Sequence, residues 1–358
     1  MRHLATVKEI NFIKPHFNAD RLEVVFIGGW SVVVGKGEFK LHDKVIYFEP
    51  DSLIPVDENS VFVNLQPYCK EVENSKSQPC ILLQTKKIRG QISQGLVCHL
   101  SDLFDEDLPL DTDVSERLHI EKYDPPEVDC TAETAPWPSF LTKTDEDRIQ
   151  NKLDFLEWLC SYEKAAELVK HFTATEKLDG TSTTFFRTNK NDVIRYGVCS
   201  RNKELLTDDG SVYWKNYNHY KMKDWLDKLA ELCPSAYSVA IQGESIGIGI
   251  NGNRLNRKAH EFYIFNVLVD GQRLDPYTLP FPNELLVPRL QVSFPLKSTA
   301  EETMQALIDL SNGRKSVLSP DRLAEGIVWR LDVQTPDGFS CDWKHFKAIN
   351  NSYLLKFH

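Results

Sequence analysis

Four prolines crowd the stretch YDPPEVDCTAETAPWPSF, residues 123–140, and they set the first limit on the fold. Proline fixes φ and has no amide hydrogen, so neither a regular helix nor a central strand runs through such a segment. The acidic run DLFDEDLPLDTD lies just before it. Together they read as a linker that divides the 358 residues into two regions, each of which needs its own core.

The two regions differ in texture. Up to about residue 100 the chain is a series of short, strand-like segments broken by turn signals. RLEVVFIGGWSVVVGKGEF predicts a hairpin around Gly28-Gly29, and KVIYFEPDSLIP and ILLQTKKIRGQISQGLVCHL predict further strands. Closely spaced strands with glycine punctuation favour a small β-barrel or sandwich. Beyond the linker, TKTDEDRIQNKLDFLEWLCSYEKAAELVKHF predicts a helix capped by Thr144 or Asp145, with Arg148 on its face. Helical patterns recur near YKMKDWLDKLAELCP and TAEETMQALIDLSNG. Strand patterns appear at TATEKLDGTSTTFF, NDVIRYGVCSRNKEL, YSVAIQGESIGIG, EFYIFNVLVD, AEGIVWRLDV and DWKHFKAINNSYLLKF. The expectation is an α+β domain with mixed or antiparallel sheets, over 131–358, after a β-domain and linker over 1–130.

A formal charge of −10 excludes a polycation that holds nucleic acid by bulk attraction, but leaves room for a local basic groove. The eight cysteines are dispersed and form no Cys-x-x-Cys pair, which points to reduced thiols rather than zinc ligands or disulfides. The amino terminus MRHLATVKEINFIKP carries charges throughout, unlike a signal peptide, and no apolar run approaches membrane-spanning length. A soluble, intracellular protein is expected.

Chemistry enters at TATEKLDGTSTTFF. Lys177 and Asp179 are two residues apart on a predicted strand and should face the same side, with Gly180 where the backbone turns or comes close to something. An amine and a carboxylate are costly to bury together unless a site uses them. Downstream follow Arg201 in CSRNKEL, Glu244 in IQGESIG, Phe265 in FYIFNV, Glu325 in EGIVWR and Lys347 in FKAINNSYL.

In order and spacing this set resembles motifs I, Ia, III, IIIa, IV and V of the covalent nucleotidyltransferases, the polynucleotide ligases and mRNA capping enzymes. The nearest likeness is to ATP-dependent RNA ligases of the Deinococcus and Naegleria type, and it extends over GWSVVVGKGEF, YFEPDS and IRGQISQGL in the first region. The resemblance implies an N-terminal OB-fold barrel and a C-terminal α+β nucleotidyltransferase domain. It implies joining of 3′-hydroxyl RNA to 5′-phosphate ends, through lysyl-AMP and an adenylated strand, at breaks in duplex RNA or RNA/DNA, with ATP and Mg2+ (Mn2+ substituting).

By the same resemblance Lys177 is the nucleophile. A free lysine, with a pKa near about 10.4, is mostly protonated at neutral pH. Burial and nearby cations are expected to disfavour the ammonium form, so that bound magnesium serves as activator as well as phosphate clamp. Asp179 and Glu325 would hold the metal, largely through its water shell. Glu244 would serve the ribose and the metal-side network, Gly180 the close approach of nucleotide, and Phe265 the adenine. Lys347 would touch the α-phosphate, Arg201 the AMP or nucleic-acid phosphate, and Arg148 the triphosphate. Many members end on two lysines one residue apart. Here the second position is Ile349 and another lysine, Lys344, stands three residues before Lys347; Glu176 is left outside the catalytic set.

The short segment after Lys347 disfavours DNA ligases and capping guanylyltransferases, which carry a trailing OB-fold, and no nicotinamide-recognition signature precedes the second region. A nucleic-acid-binding protein with a degenerate catalytic domain is the reading from another class. Intact Lys177, Asp179, Glu244 and Glu325 argue against it.

Overall fold

In the first region the apolar run Val45-Ile46-Tyr47-Phe48 is buried on both faces, and the sheets close on two adjoining cores, one on each side of it. The architecture is that of a computed structural model, which describes residues 3–57, 60–125, 130–331 and 345–357. The first region contributes β1 (Ala5–Glu9), β2 (Phe12–Pro15), β3 (Leu22–Ile27), β4 (Trp30–Gly35), β5 (Lys44–Phe48), β6 (Ser52–Pro55), β7 (Lys70–Glu73), β8 (Pro79–Leu82), β9 (Lys86–Ile88), β10 (Gln91–Ser93), β11 (Leu96–His99) and β12 (Glu121–Lys122). They form sheets ordered β1-β5-β11, β2-β3-β4 and β12-β6-β8-β7, with β9-β10 as a hairpin. Val25, Ile27, Trp30, Val32, Val45 and Tyr47 fill one core, and Val7, Ile46, Phe48, Ile54 and Ile81 the other. This is an OB-fold domain. The hairpin expected at Gly28-Gly29 is present, Ile27 pairing with Trp30.

The hairpin tip is also where the first domain meets the second. A Cβ on Gly29 would fall 2.5 Å from the Gln150 carbonyl oxygen, so only glycine fits there. Around it Trp30 Nε1 donates to Asn151 Oδ1 at 2.7 Å, and Asn151 Nδ2 donates to Glu49 Oε1 at 2.8 Å.

The second region contains β13 (Thr134–Pro136), α1 (Leu153–Ser161), α2 (Ala165–Leu168), β14 (Phe172–Lys177), β15 (Thr181–Lys190), β16 (Val193–Cys199), β17 (Lys203–Leu205), α3 (Val212–His219), α4 (Met222–Leu232), β18 (Ser238–Ile246), β19 (Glu261–Val269), β20 (Gln272–Leu274), α5 (Ala300–Ser311), β21 (Gly326–Leu331), β22 (His345–Ile349) and α6 (Asn351–Phe357). A sheet ordered β13-β17-β16-β15-β18-β19-β20 faces a smaller one, β14-β21-β22. α3 and α4 cover the first, and α1 and α5 the second, where Trp329, Phe155 and Phe346 are fully buried. Losing one such ring costs about 3–5 kcal/mol.

Of the mixed or antiparallel sheets expected from sequence, the antiparallel form holds at every pairing of these strands. Hairpins and short loops join neighbours such as β15, β16 and β17, so no βαβ crossover creates a parallel pair. The proline-rich stretch does supply one strand, β13, but at the sheet edge, where Pro136 costs no ladder bond.

The helix expected from Thr144 onward begins at Leu153 instead, and neither Thr144 nor Asp145 caps it. Residues 142–148 run extended or irregular, Arg148 having φ −74° and ψ 145°, so it is not on a helix face. Local capping lost to tertiary pairing. Asp145 and Glu146 find distant partners, Arg201 and Arg273, within the same domain, and Arg148 reaches Asp51 across the cleft between the two domains.

Candidate active site

That cleft encloses a cavity of about 360 Å3, and every residue singled out from the sequence lines it: Arg148, Lys177, Asp179, Gly180, Arg201, Glu244, Phe265, Glu325 and Lys347. Strand register explains the convergence. In the small sheet Lys177 lies opposite Gly326, beside Glu325, and Gly326 lies opposite Ile349, two residues from Lys347. In the large sheet Glu244 lies between Ser182 and Tyr263. Lys344 lies outside the described residues.

Lys177 is the last residue of its strand, so strand alternation does not carry on to Asp179 as expected. Leu178 turns into a small core with Ile246, Leu255 and Val287, and Asp179 reaches the cavity from the following loop. Gly180 is held by close approach, since a Cβ there would meet the Ser245 carbonyl oxygen at 2.2 Å.

Lys177 Nζ is 2.6 Å from Glu325 Oε1. Burial works against its charge, but Glu325, Glu244 and Asp179 outweigh that, and its pKa is raised. The groups nearest the amine are carboxylates, and they favour its ammonium form. Burial pushes Glu244 up to about 8; Lys177 opposes the rise, and Glu325 and Asp179 add to it. The Asp179 carboxyl is also raised, first by burial and then by Glu325. The site thus crowds more negative charge than Lys177 offsets.

Sequence reading missed the residues that hold Asp179. Asn251 Nδ2 donates to Asp179 Oδ1 at 3.2 Å and to the Gly180 carbonyl at 2.6 Å. Arg254 Nη1 lies 3.4 Å from Asp179 Oδ2 and donates to Tyr353 Oη at 2.6 Å. The signal was the turn-rich INGNRLNR, where Asn251, Asn253 and Asn256 all take positive φ.

Phe265 occupies a β-bulge. Gln242 pairs with Asn266 and Gly243 with Ile264, which leaves Phe265 as the extra residue, re-aimed towards the cavity. Its carbonyl accepts from Arg330 Nη1 at 2.6 Å. Arg330 and Arg273 converge on Glu146 at 3.4 and 3.2 Å, and His345 bonds the same carboxylate. Burial raises the Glu146 pKa, but the His345 hydrogen bond and the two guanidinium charges prevail and hold it at about 2.

Two cations come to the cavity already engaged. Arg201 Nη2 lies 3.1 Å from Asp145 and 3.3 Å from Asp124. Arg148 Nη2 lies 2.8 Å from Asp51 of the first domain, while its Nε and Nη1 are buried without a hydrogen-bond partner. Donors left so are costly unless an anion meets them. Lys347 N donates to the Asp147 carbonyl at 2.8 Å, and its neighbour Arg148 bridges to Lys347 as a short parallel pair.

Comparison with known proteins adds the family. An OB-fold domain model matches residues 4–100 and an RNA ligase model residues 170–349. The solved Naegleria gruberi RNA ligase with pyrophosphate is 31% identical, with a TM-score of 0.79 and 99% of each chain covered. A mutant of that ligase with ATP and Mn is 32% identical, with a TM-score of 0.78, over 99% of this chain and 98% of that one. Another with AMP and Mn gives 31% and 0.79, over 99% of both. No curated protein matches the sequence. No described helix is long and apolar enough to cross a membrane.

Proposed function

The chain belongs to the RNA ligase family, and from that premise we propose that it seals breaks in RNA held on a complementary strand, with ATP as the nucleotide. Residues 1–130 form the OB module and its linker, and 131–358 the nucleotidyltransferase. The Lys177 amine attacks the α-phosphorus of ATP, forming a lysyl-AMP phosphoramidate and expelling pyrophosphate. AMP then passes to the 5′-phosphate, and the 3′-hydroxyl of the other end attacks that phosphate and expels AMP.

The observation that carries this reading is the Lys177–Glu325 contact of 2.6 Å, inside a cavity that also gathers Lys347, Arg201 and Arg148. Phe265, re-aimed by its bulge, stacks on adenine, and Glu244 takes the ribose hydroxyls. Arg148 offers its buried, unpartnered Nε and Nη1 to the triphosphate. Lys347 steadies the α-phosphate as its charge shifts. Arg201 exchanges Asp124 and Asp145 for a phosphate in the later steps.

The excess carboxylate charge fits a divalent cation. No three described His, Cys, Asp or Glu side chains converge closely enough to hold one alone; Asp179 and Glu325 are the residues that would hold it. Bound there, Mg2+ or Mn2+ would offset the carboxylates that favour the ammonium form of Lys177.

Incubation with α-labelled ATP and Mg2+ or Mn2+ tests the reading. Wild-type chain should acquire an acid-labile label and Lys177→Ala none, while the variant still seals a strand adenylated beforehand. Normal labelling of Lys177→Ala removes the assignment.

A further inference from the structure

The outer surface of β2 and β3 carries a side-chain cluster that the ligation chemistry does not use. Strand alternation sends Ile13, Val25 and Ile27 into the barrel core and leaves Phe12, Lys14, Val24 and Phe26 on the other face, where Val24 is buried and Phe26 half-buried. Phe12 and Phe26 are direct cross-strand partners with ring centres 5.7 Å apart. Lys14 Nζ lies 4.9 Å from the centre of the Phe26 ring. A third ring, Phe17, follows β2 in the next loop. Phe12 is 55% and Phe17 71% exposed, an unusual cost for large apolar side chains unless something covers them.

Phe17 is held in place. Its ring stacks on His16 at 5.2 Å and packs on Gly90, where a Cβ would come within 2.8 Å of it. His16 Nε2 is 3.0 Å from the Ile88 carbonyl, and Asn18 Nδ2 donates to the Arg89 carbonyl at 3.3 Å. These bonds tie the loop to the β9–β10 turn, and the Lys36 amide donates to the Arg21 carbonyl at 3.0 Å. Arg21, Lys36 and Arg89 therefore gather at the end of the barrel where Phe17 is exposed.

Lys14, Arg21, Lys36 and Arg89 make no ion pair among the described residues, whereas Lys8, Lys44 and Arg117 of the same domain each face a carboxylate. In a chain of net charge −10, unpaired cations interleaved with exposed rings mark a surface for phosphates and stacking bases. A ring can stack only on a base that is not paired. The hairpin tip at Gly29, a few residues from Phe26, abuts Gln150 of the catalytic domain, so the strip leads outward from that domain.

Resting on the RNA ligase reading, we propose that this face binds a single-stranded stretch of RNA flanking the break. Bases stack on Phe12, Phe26 and Phe17, and phosphates meet Lys14, Arg21 and Arg89. The enzyme then favours ends whose flanking strand is unpaired beyond the duplex at the break.

The test uses the full chain, a fluorescein-labelled oligouridylate, and nicked RNA duplexes with and without a single-stranded extension. The double variant F12A/F17A should bind the oligouridylate about tenfold more weakly, and F12Y/F17Y should bind it as the wild type does. K14Q/R89Q should also bind more weakly and lower the salt dependence by about two charges. Each variant should keep wild-type autoadenylation and sealing of the fully paired nick, and lose the advantage on the extended one. Oligouridylate binding by F12A/F17A equal to wild type overturns the proposal and leaves the face to a protein partner. So does equal weakening by F12Y/F17Y. A wild-type chain that takes no label from ATP defeats the ligase reading instead, whatever the oligouridylate result.

Discussion

Arg148 of the second domain ends 2.8 Å from the carboxylate of Asp51 in the OB domain, and both residues line the cavity between them. The barrel is therefore a wall of the site. Asp51 has φ 73°, a conformation asparagine also tolerates, so Asp51→Asn removes charge without straining the backbone. It leaves a buried guanidinium uncompensated and is expected to cost about 2 kcal/mol in urea unfolding and to raise the ATP concentration needed for half-maximal labelling. Unchanged stability and ATP dependence would show that the contact holds nothing in place.

Gly180→Ala should damage the adenylation step more than its one added carbon suggests. The new methyl would meet the Ser245 carbonyl oxygen at 2.2 Å, a backbone atom that cannot rotate away, so the loop carrying Asp179 must shift. An overpacking cost of about 1–3 kcal/mol and a slower single-turnover rate of labelling are expected. A variant with wild-type rate and melting temperature contradicts the close fit.

Glu146 makes stability depend on acid. Its pKa is lowered from 4.5 to about 2 in the fold, so its contribution is present above the unfolded-state pKa and is lost as pH falls from there through about 2. The shift corresponds to about 3 kcal/mol. Urea unfolding of wild type and Glu146→Gln should differ most above pH ~5 and converge towards pH ~2. A difference independent of pH would place the effect in packing rather than charge.

The sugar requirement follows from the RNA reading. Four nicks that differ only in ribose or deoxyribose on each side, compared at one salt concentration, should show a demand for ribose on the 3′-hydroxyl strand and tolerance of deoxyribose on the 5′-phosphate strand. The 2′-hydroxyl is the difference a protein reads there. Equal sealing of the all-DNA nick would favour DNA ligation.

Motif resemblance pointed to the residues that meet in the cavity, but the strand register that brings them together was not legible in the sequence. Nor did the sequence show what surrounds them. The raised pKa of Lys177 depends on Glu244, on another strand, and on Glu325, just before another. Asp145 and Glu146 satisfy every local rule for a helix start, yet Arg201, Arg273 and Arg330 hold them in the cleft. Arg254 and Asn251 lie in a turn whose composition says only that the chain bends. Phe265 reads as a core residue because nothing in FYIFNV announces a bulge.

The short backbone pair between Arg148 and Lys347 puts one segment under two influences: Arg148 grips the barrel while its neighbouring strand carries the lysine assigned to the α-phosphate. Thermodynamic linkage then runs both ways. Whatever factor the nucleotide contributes to seating the barrel, a seated barrel returns to nucleotide affinity. On the ligase reading, a polynucleotide bound to the barrel would be linked to the nucleotide through that single strand end.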